Sequence, residues 1–131
     1  MRHIKQIIIH CSATPEGKNI GATTIRGWHK ERGFTDIGYH YVIRLDGTIE
    51  QGRPIEQIGA HCQGHNRNSI GICYIGGLSQ KRQPKDTRTI AQRQAMKQLI
   101  QELQEQFPEA TIHGHREFAA KACPCFDIED L

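Results

Sequence analysis

Hydrophobic and polar positions along this chain fall into a few patterns, and each pattern marks a kind of element. Near the start, Ile7, Ile8 and Ile9 form a continuous apolar run between Lys5-Gln6 and His10, which fits an inner strand of a sheet covered on both faces. Residues 69–75, SIGICYI, repeat the pattern and predict a second buried strand. From Ala22 to Glu31 the apolar Ile25 and Trp28 stand three apart and predict a short helix ended by Gly33, with Trp28 read first as a core residue. From Thr89 to Phe107, the residues Ala95, Met96, Leu99, Ile100, Leu103 and Phe107 supply one apolar face of a long helix. Thr89 and Gln92 have the spacing of a capping box at its start, and Pro108 stops it.

Between these elements, Asp46-Gly47 separates two strand-like segments in GYHYVIRLDGTIEQG and predicts a hairpin. Period-two alternation on the incoming strand puts Tyr39 and Tyr41 on one face and His40 on the other. Thr111 to His113 reads as a short strand returning beside the one that carries His10. SATPEGKN and the polar, basic stretch 76–87 read as loops. With the long helix over one face and the short helix over part of the other, the expected fold is α/β, a mixed central β-sheet flanked by helices.

Length narrows the organisation. A chain of 131 residues with 37% apolar and 24% charged content is expected to form a single domain, 1–131. No run approaches the roughly 18 apolar residues of a membrane span. The opening MRHIKQIII passes straight into His10 and Cys11, so it reads as a strand and not a secretion signal, and synthesis in the cytoplasm without a signal peptide is expected. Five cysteines leave at least one unpaired, and no CxxC pair occurs. That favours folding in a reducing compartment, with Cys11, Cys62 and Cys73 as core thiols. The formal charge of +3 fits an anionic cell wall as well as nucleic acid and decides little; the clustered basic residues that nucleic-acid binding would want are missing.

Candidate chemistry concentrates in residues 113–126, HGHREFAAKACPCF, which hold two histidines, an Arg-Glu pair, a lysine and two cysteines. A catalytic zinc takes three protein ligands from imidazole, thiolate or carboxylate groups and leaves one position open. This segment can supply a histidine and Cys123, so the third ligand must come from afar. His10 has the chemistry and, at the carboxyl end of the first strand, the position. The competing reading is structural: a buried thiol, and histidines that only hydrogen-bond a backbone carbonyl.

Four stretches, IIHCSAT, GYHYVI with DGTIEQGR, GAHCQGHNRNSIGIC and HREFAAKACPCF, run in order across nearly the whole chain. Together they resemble the zinc-dependent N-acetylmuramoyl-L-alanine amidases of the peptidoglycan-recognition-protein-like family, above all the small lysozyme-type amidases of tailed bacteriophages. The resemblance implies one zinc per chain held by His10, His115 and Cys123, with His113 left to finish a strand. It implies Tyr39 and Lys121 as the catalytic side chains; without it they would be a packing tyrosine and a solvated lysine. It implies hydrolysis of the amide between N-acetylmuramic acid and L-alanine in bacterial peptidoglycan, by an enzyme expected to be monomeric, not inserted in a membrane and not bound to nucleic acid, that reaches the wall by release or export.

Trp28 on the short helix, and His61, Asn66, Arg67 and Asn68 in the glycine-rich loop, are the expected substrate contacts. The asparagines and glycines of that loop serve left-handed turns equally well. Arg116 and Glu117 are read as a salt bridge beside the site. Cys125 departs from the small residue usual in the family and stands close enough in sequence to compete for the metal. The principal alternative is a non-hydrolytic peptidoglycan-binding module of the same fold. Such members typically lack the cysteine ligand, which Cys123 supplies here.

Overall fold

The computed structural model describes residues 2–131. In chain order the elements are β1 (Gln6–Cys11), β2 (Thr14–Pro15), α1 (Ala22–Glu31), β3 (Tyr41–Ile43), β4 (Ile49–Gln51), β5 (Ser69–Tyr74), β6 (Gly77–Leu78), α2 (Ile90–Gln106) and β7 (Thr111–Gly114), with short 3-10 turns at His115–Glu117 and Ile128–Asp130. The main sheet runs β4-β3-β5-β1-β7. The apolar strands β1 and β5 are inner strands paired in parallel, with Ile7 opposite Ile70 and His10 opposite Cys73. On its other side β1 takes β7 in parallel, Gln6 opposite Thr111 and Ile9 opposite Gly114. The hairpin β3-β4 is antiparallel and turns at Gly47, whose φ of 88° is the left-handed conformation the turn needs.

Alternation along β1 and β5 sends Ile7, Ile9, Cys11, Ile70, Ile72 and Tyr74 toward α2, where they meet Met96, Leu99, Ile100 and Leu103. The helix is held at its start by the predicted capping box: Thr89 Oγ1 accepts from Gln92 N–H at 3.0 Å, and Gln92 Oε1 accepts from Thr89 N–H at 2.9 Å. On the opposite face α1 buries Ala22 and Ile25 against Ile37, Val42, Cys73 and Ile75. The mixed sheet flanked by helices is therefore the observed architecture.

Three expectations change. Thr14–Pro15 and Gly77–Leu78, read as loops, pair in parallel as a separate two-stranded sheet; two residues are too short to show a period. Tyr39 and Tyr41 do not share a face, because β3 begins only at Tyr41 and the irregular backbone before it breaks the alternation. Tyr41 packs on the α2 side and Tyr39 on the α1 side. Trp28 is not a core residue: it is 36% exposed, with Lys18 Nζ 6.0 Å from its ring centroid, while α1 buries Ala22, Ile25 and His29. These three are spaced three and four apart, and Trp28 lies just outside that stripe.

Candidate metal centre and cleft

Alternation puts His10 on the α1 side of the sheet, one residue from the α2-facing Ile9 and Cys11, and it is 1% exposed. Its neighbours on that face of β5 are Gly71 and Cys73, through which the strand passes without bulk. When β7 ends at Gly114, the 3-10 turn that follows carries His115 over His10, ring centroids 4.4 Å apart. Glu117 holds the turn: one carboxylate oxygen accepts from Gly114 N–H at 2.7 Å and the other meets His113 Nδ1 at 2.9 Å. Arg116 reaches instead to Asp127, at 3.6 Å. The expected Arg116–Glu117 salt bridge is thus not formed, since residues adjacent in a helical turn point apart.

The chain then returns Cys123 to the end of β1. Tyr74 O–H donates to the carbonyl of Pro124 at 2.6 Å and pins this loop to the core, while Cys11 N–H donates to Cys123 Sγ at 3.2 Å. Cys123 Sγ stands 4.0 Å from His10 Nδ1. One ligand atom from each of His10, His115 and Cys123 lies within 4.8 Å of the others. Zinc bonds of about 2.0–2.3 Å in tetrahedral geometry separate ligand atoms by roughly 3.3–3.6 Å, so a modest contraction closes the set. Two nitrogens and one sulfur are a donor set suited to zinc. Cys125 turns away from it and places its sulfur 3.9 Å from that of Cys11.

Electrostatics favour ligation, which needs unprotonated imidazole. Burial lowers the pKa of His10 well below its ordinary value, reinforced by His61, His115 and the Lys121 ammonium. His115 is lowered by burial first and Lys121 second. Tyr39 sits with its ring centroid 5.1 Å from that of His10. Burial pushes its phenol well above the ordinary value, and the neighbouring Cys73, Cys123 and Cys11 push the same way. At neutral pH Tyr39 therefore keeps its proton.

These groups open into a cleft of about 640 Å³ lined by His29, Arg32, Phe34 and Tyr39 on one side, by Ala60 to Gln63 and Asn66 on another, and by His115, Phe118, Ala119 and Lys121 on the third. A depression of similar volume on the outer surface of α2 is lined by glutamines, Lys97, Glu102 and Glu105 and has no converging chemistry. His10, His115, Cys123, Tyr39 and Lys121 are therefore brought together. The expected substrate contacts divide. Asn66 lines the cleft, but its side-chain oxygen accepts from the N–H groups of His61 and Cys62, both at 2.9 Å, so it also shapes the loop. His61 lines the cleft too, yet both its ring nitrogens have protein partners: Nδ1 meets His10 Nε2 at 2.8 Å and Nε2 meets Ser69 Oγ at 3.2 Å.

Arg67 and Asn68 lie elsewhere, in a depression shared with Lys5, Gln6, Gly64 and His65, where Asn68 Nδ2 donates to the His3 carbonyl at 2.8 Å. The loop turns at Asn66, so the residues after it face away from the cleft. Trp28 is absent from the cleft lining; its neighbour His29 is present, with Nδ1 accepting from Gly38 N–H at 2.9 Å. Arg32, Phe34 and Phe118 also line the cleft, and the sequence did not mark them. Phe34 directly after the helix-ending Gly33 was the available signal. Phe118 stacks on His65 with centroids 4.1 Å apart, a pairing of loops that no local pattern encodes.

Known proteins share this fold and much of this sequence. The family model described as N-acetylmuramoyl-L-alanine amidase matches residues 1–126. The endolysin of Klebsiella phage KP32 is 45% identical over 124 residues, covering 95% of this chain and 82% of the phage protein. Among solved structures, the N-acetylmuramoyl-L-alanine amidase LysC from Clostridium intestinale URNW superposes with a TM-score of 0.85 at 28% identity, over 98% of this chain and 83% of that one. Drosophila PGRP-LB does so with a TM-score of 0.81 at 29% identity, over 95% of this chain and 76% of that one. With the family match running through β1, the cleft loop and the Cys123 segment, the chain belongs to the N-acetylmuramoyl-L-alanine amidase family.

Proposed function

We propose that this amidase works through one zinc ion held by His10, His115 and Cys123, and that it cuts the amide bond between N-acetylmuramic acid and L-alanine in bacterial peptidoglycan. The observation that carries the reading is the convergence of two imidazole nitrogens and one thiol sulfur within 4.8 Å, beside an open cleft that His115, Tyr39 and Lys121 line. Zinc bound there would polarise the scissile carbonyl and lower the pKa of a water.

The chain's own residues do the rest. Cys11 N–H, donating to Cys123 Sγ, holds that sulfur at the end of β1 beside His10. Lys121, a cation lining the cleft, stabilises negative charge as it develops on the carbonyl oxygen. Tyr39, protonated and beside His10, orients the reacting groups by donating a hydrogen bond. Asn66, Arg32 and Phe34 offer the stem peptide polar and aromatic contacts along the cleft. One chain supplies all of these groups, so the site needs no residue from a second subunit, and a monomer is the proposed active unit. Among the described residues no helix is long and apolar enough to cross a membrane.

Digestion of purified peptidoglycan tests the reaction. Mass spectrometry should find stem peptides beginning with L-alanine and intact glycan, from protein carrying about one zinc per chain. New reducing sugar ends in place of peptides would assign the wrong reaction class. Protein that sediments with the wall and releases nothing would point to the binding module.

A further inference from the structure

His61 is seated with unusual care for a residue in a glycine-rich loop. A Cβ at Gly71 would stand 2.6 Å from His61 Cγ, and one at Gly59 would stand 2.8 Å from His61 Cδ2, so both positions need to lack a side chain for the ring to fit. Asn66 holds the His61 backbone N–H at 2.9 Å. His61 is 9% exposed, and its ring lies edge-on to that of His10, centroids 4.9 Å apart. Its Nδ1 and the Nε2 of His10 are separated by 2.8 Å, so one of the two nitrogens carries a proton and the other accepts it.

Which one does so matters for the metal. His10 Nδ1 faces Cys123 Sγ at 4.0 Å and is the atom that joins the ligand set. It must be bare to ligate, which places the His10 proton on Nε2, pointing at His61. His61 then accepts at Nδ1 and carries its own proton on Nε2, donated to Ser69 Oγ at 3.2 Å. The Ser69 hydroxyl, fully buried, has the Asn66 carbonyl 3.5 Å away to receive its hydrogen. In the reverse arrangement, with His61 donating from Nδ1, the His10 proton would sit on Nδ1 and block the metal.

We propose that His61 is a positioning residue of the metal centre: by accepting from His10 Nε2 it fixes the tautomer whose Nδ1 is free for zinc, and Ser69 fixes His61 in the same way. The inference rests on the zinc reading above and deepens it, and it removes His61 from the substrate contacts because neither ring nitrogen is left for substrate.

Zinc dissociation constants, measured by competition with a chelating dye, test it on the wild-type, His61→Phe, His61→Asn and Ser69→Ala proteins. His61→Phe keeps a ring but offers no acceptor and should weaken zinc binding about 10- to 100-fold, the range usual for loss of such a partner. His61→Asn offers an amide oxygen near the place of Nδ1 and should recover most of the loss. Ser69→Ala should cost less than His61→Phe. Equal affinity in all four proteins would overturn the inference and leave the zinc reading standing, whereas wild-type protein that binds no zinc would overturn both. Nitrogen-15 NMR of the zinc-loaded wild-type protein needs no substitution: His10 and His61 should each be protonated at Nε2, and a His61 protonated at Nδ1 would overturn the proposal.

Discussion

Toward α2, Ile7, Ile9, Ile70, Ile72 and Tyr74 meet Met96, Leu99, Ile100 and Leu103 in one buried apolar cluster. One residue along from them, on the other face of the same two strands, stand Ile8, His10, Gly71 and Cys73. There α1 covers one part with a small apolar cluster, and the remainder is given to His10, His61 and Tyr39. Full burial of each large apolar side chain contributes about 1.5–3 kcal/mol. Enclosing imidazoles in neutral form costs desolvation, offset here by hydrogen bonds between them. One set of strands thus separates stability from chemistry by parity alone, and substitutions on the two faces should have different signatures.

The largest effect belongs to Cys123→Ala. It should abolish bound zinc and hydrolysis together and lower stability, because the folded protein alone presents the complete ligand set. Full zinc occupancy with normal turnover would reject the centre. Next comes Lys121→Ala, expected to reduce the chemical rate about 100- to 1000-fold while zinc content and fold are retained. Tyr39→Phe, which removes only the hydroxyl, is its companion, and wild-type turnover in both metal-loaded variants would reject their catalytic roles.

The opposite face should answer differently. Met96→Ala, at a fully buried position under α2, should destabilise by about 2–5 kcal/mol. Urea unfolding of the zinc-free protein measures this, and the zinc affinity of the folded molecules should not change. A shift in zinc affinity as large as that in stability would mean the faces are coupled.

The smallest effect is a dependence on pH that only the histidine face can produce. Burial, the largest cause for each, lowers His40 to about 4 and His61 to about 3, below an unfolded value near 6.5. The unfolded chain then binds more protons, so this contribution is fully present above about pH 6.5 and is lost progressively as pH falls toward the folded values. The urea midpoint of the zinc-free protein should decline between pH 7 and 5, where most carboxylates remain ionised. A flat midpoint would mean that these imidazoles are not buried in neutral form.

Elements with a sustained period were legible in the sequence: α2 with its capping box, α1, the β3-β4 hairpin, and β1 with β5. The clustering of His10, His115 and Cys123 was legible through family resemblance, since nothing local to His10 says that residues 115 and 123 will come to lie beside it. What escaped depended on contacts between segments. Tyr39 lies where the strand period has not yet begun, so its face could not be counted from Tyr41. Asn66, Arg67 and Asn68 are consecutive and alike in polarity, yet a turn sends the first into the cleft and the others away. Arg116 and Glu117, adjacent and opposite in charge, choose Asp127 and His113 because a helical turn splays neighbours apart.

The parallel pairing of β1 with β7 also sets a clock. His10 and Cys123 are 113 residues apart, so during synthesis the first proposed ligand waits for all of those residues to follow. At translation rates of about 5–20 residues per second, roughly 6–20 s separate the two. Until β7 emerges and docks on β1, the growing polypeptide holds one of the three proposed ligands. A fragment ending before residue 115 would carry most of the sheet and only one of the three proposed ligands, so the ability to cut would arrive in one step once residues 115 to 123 have emerged.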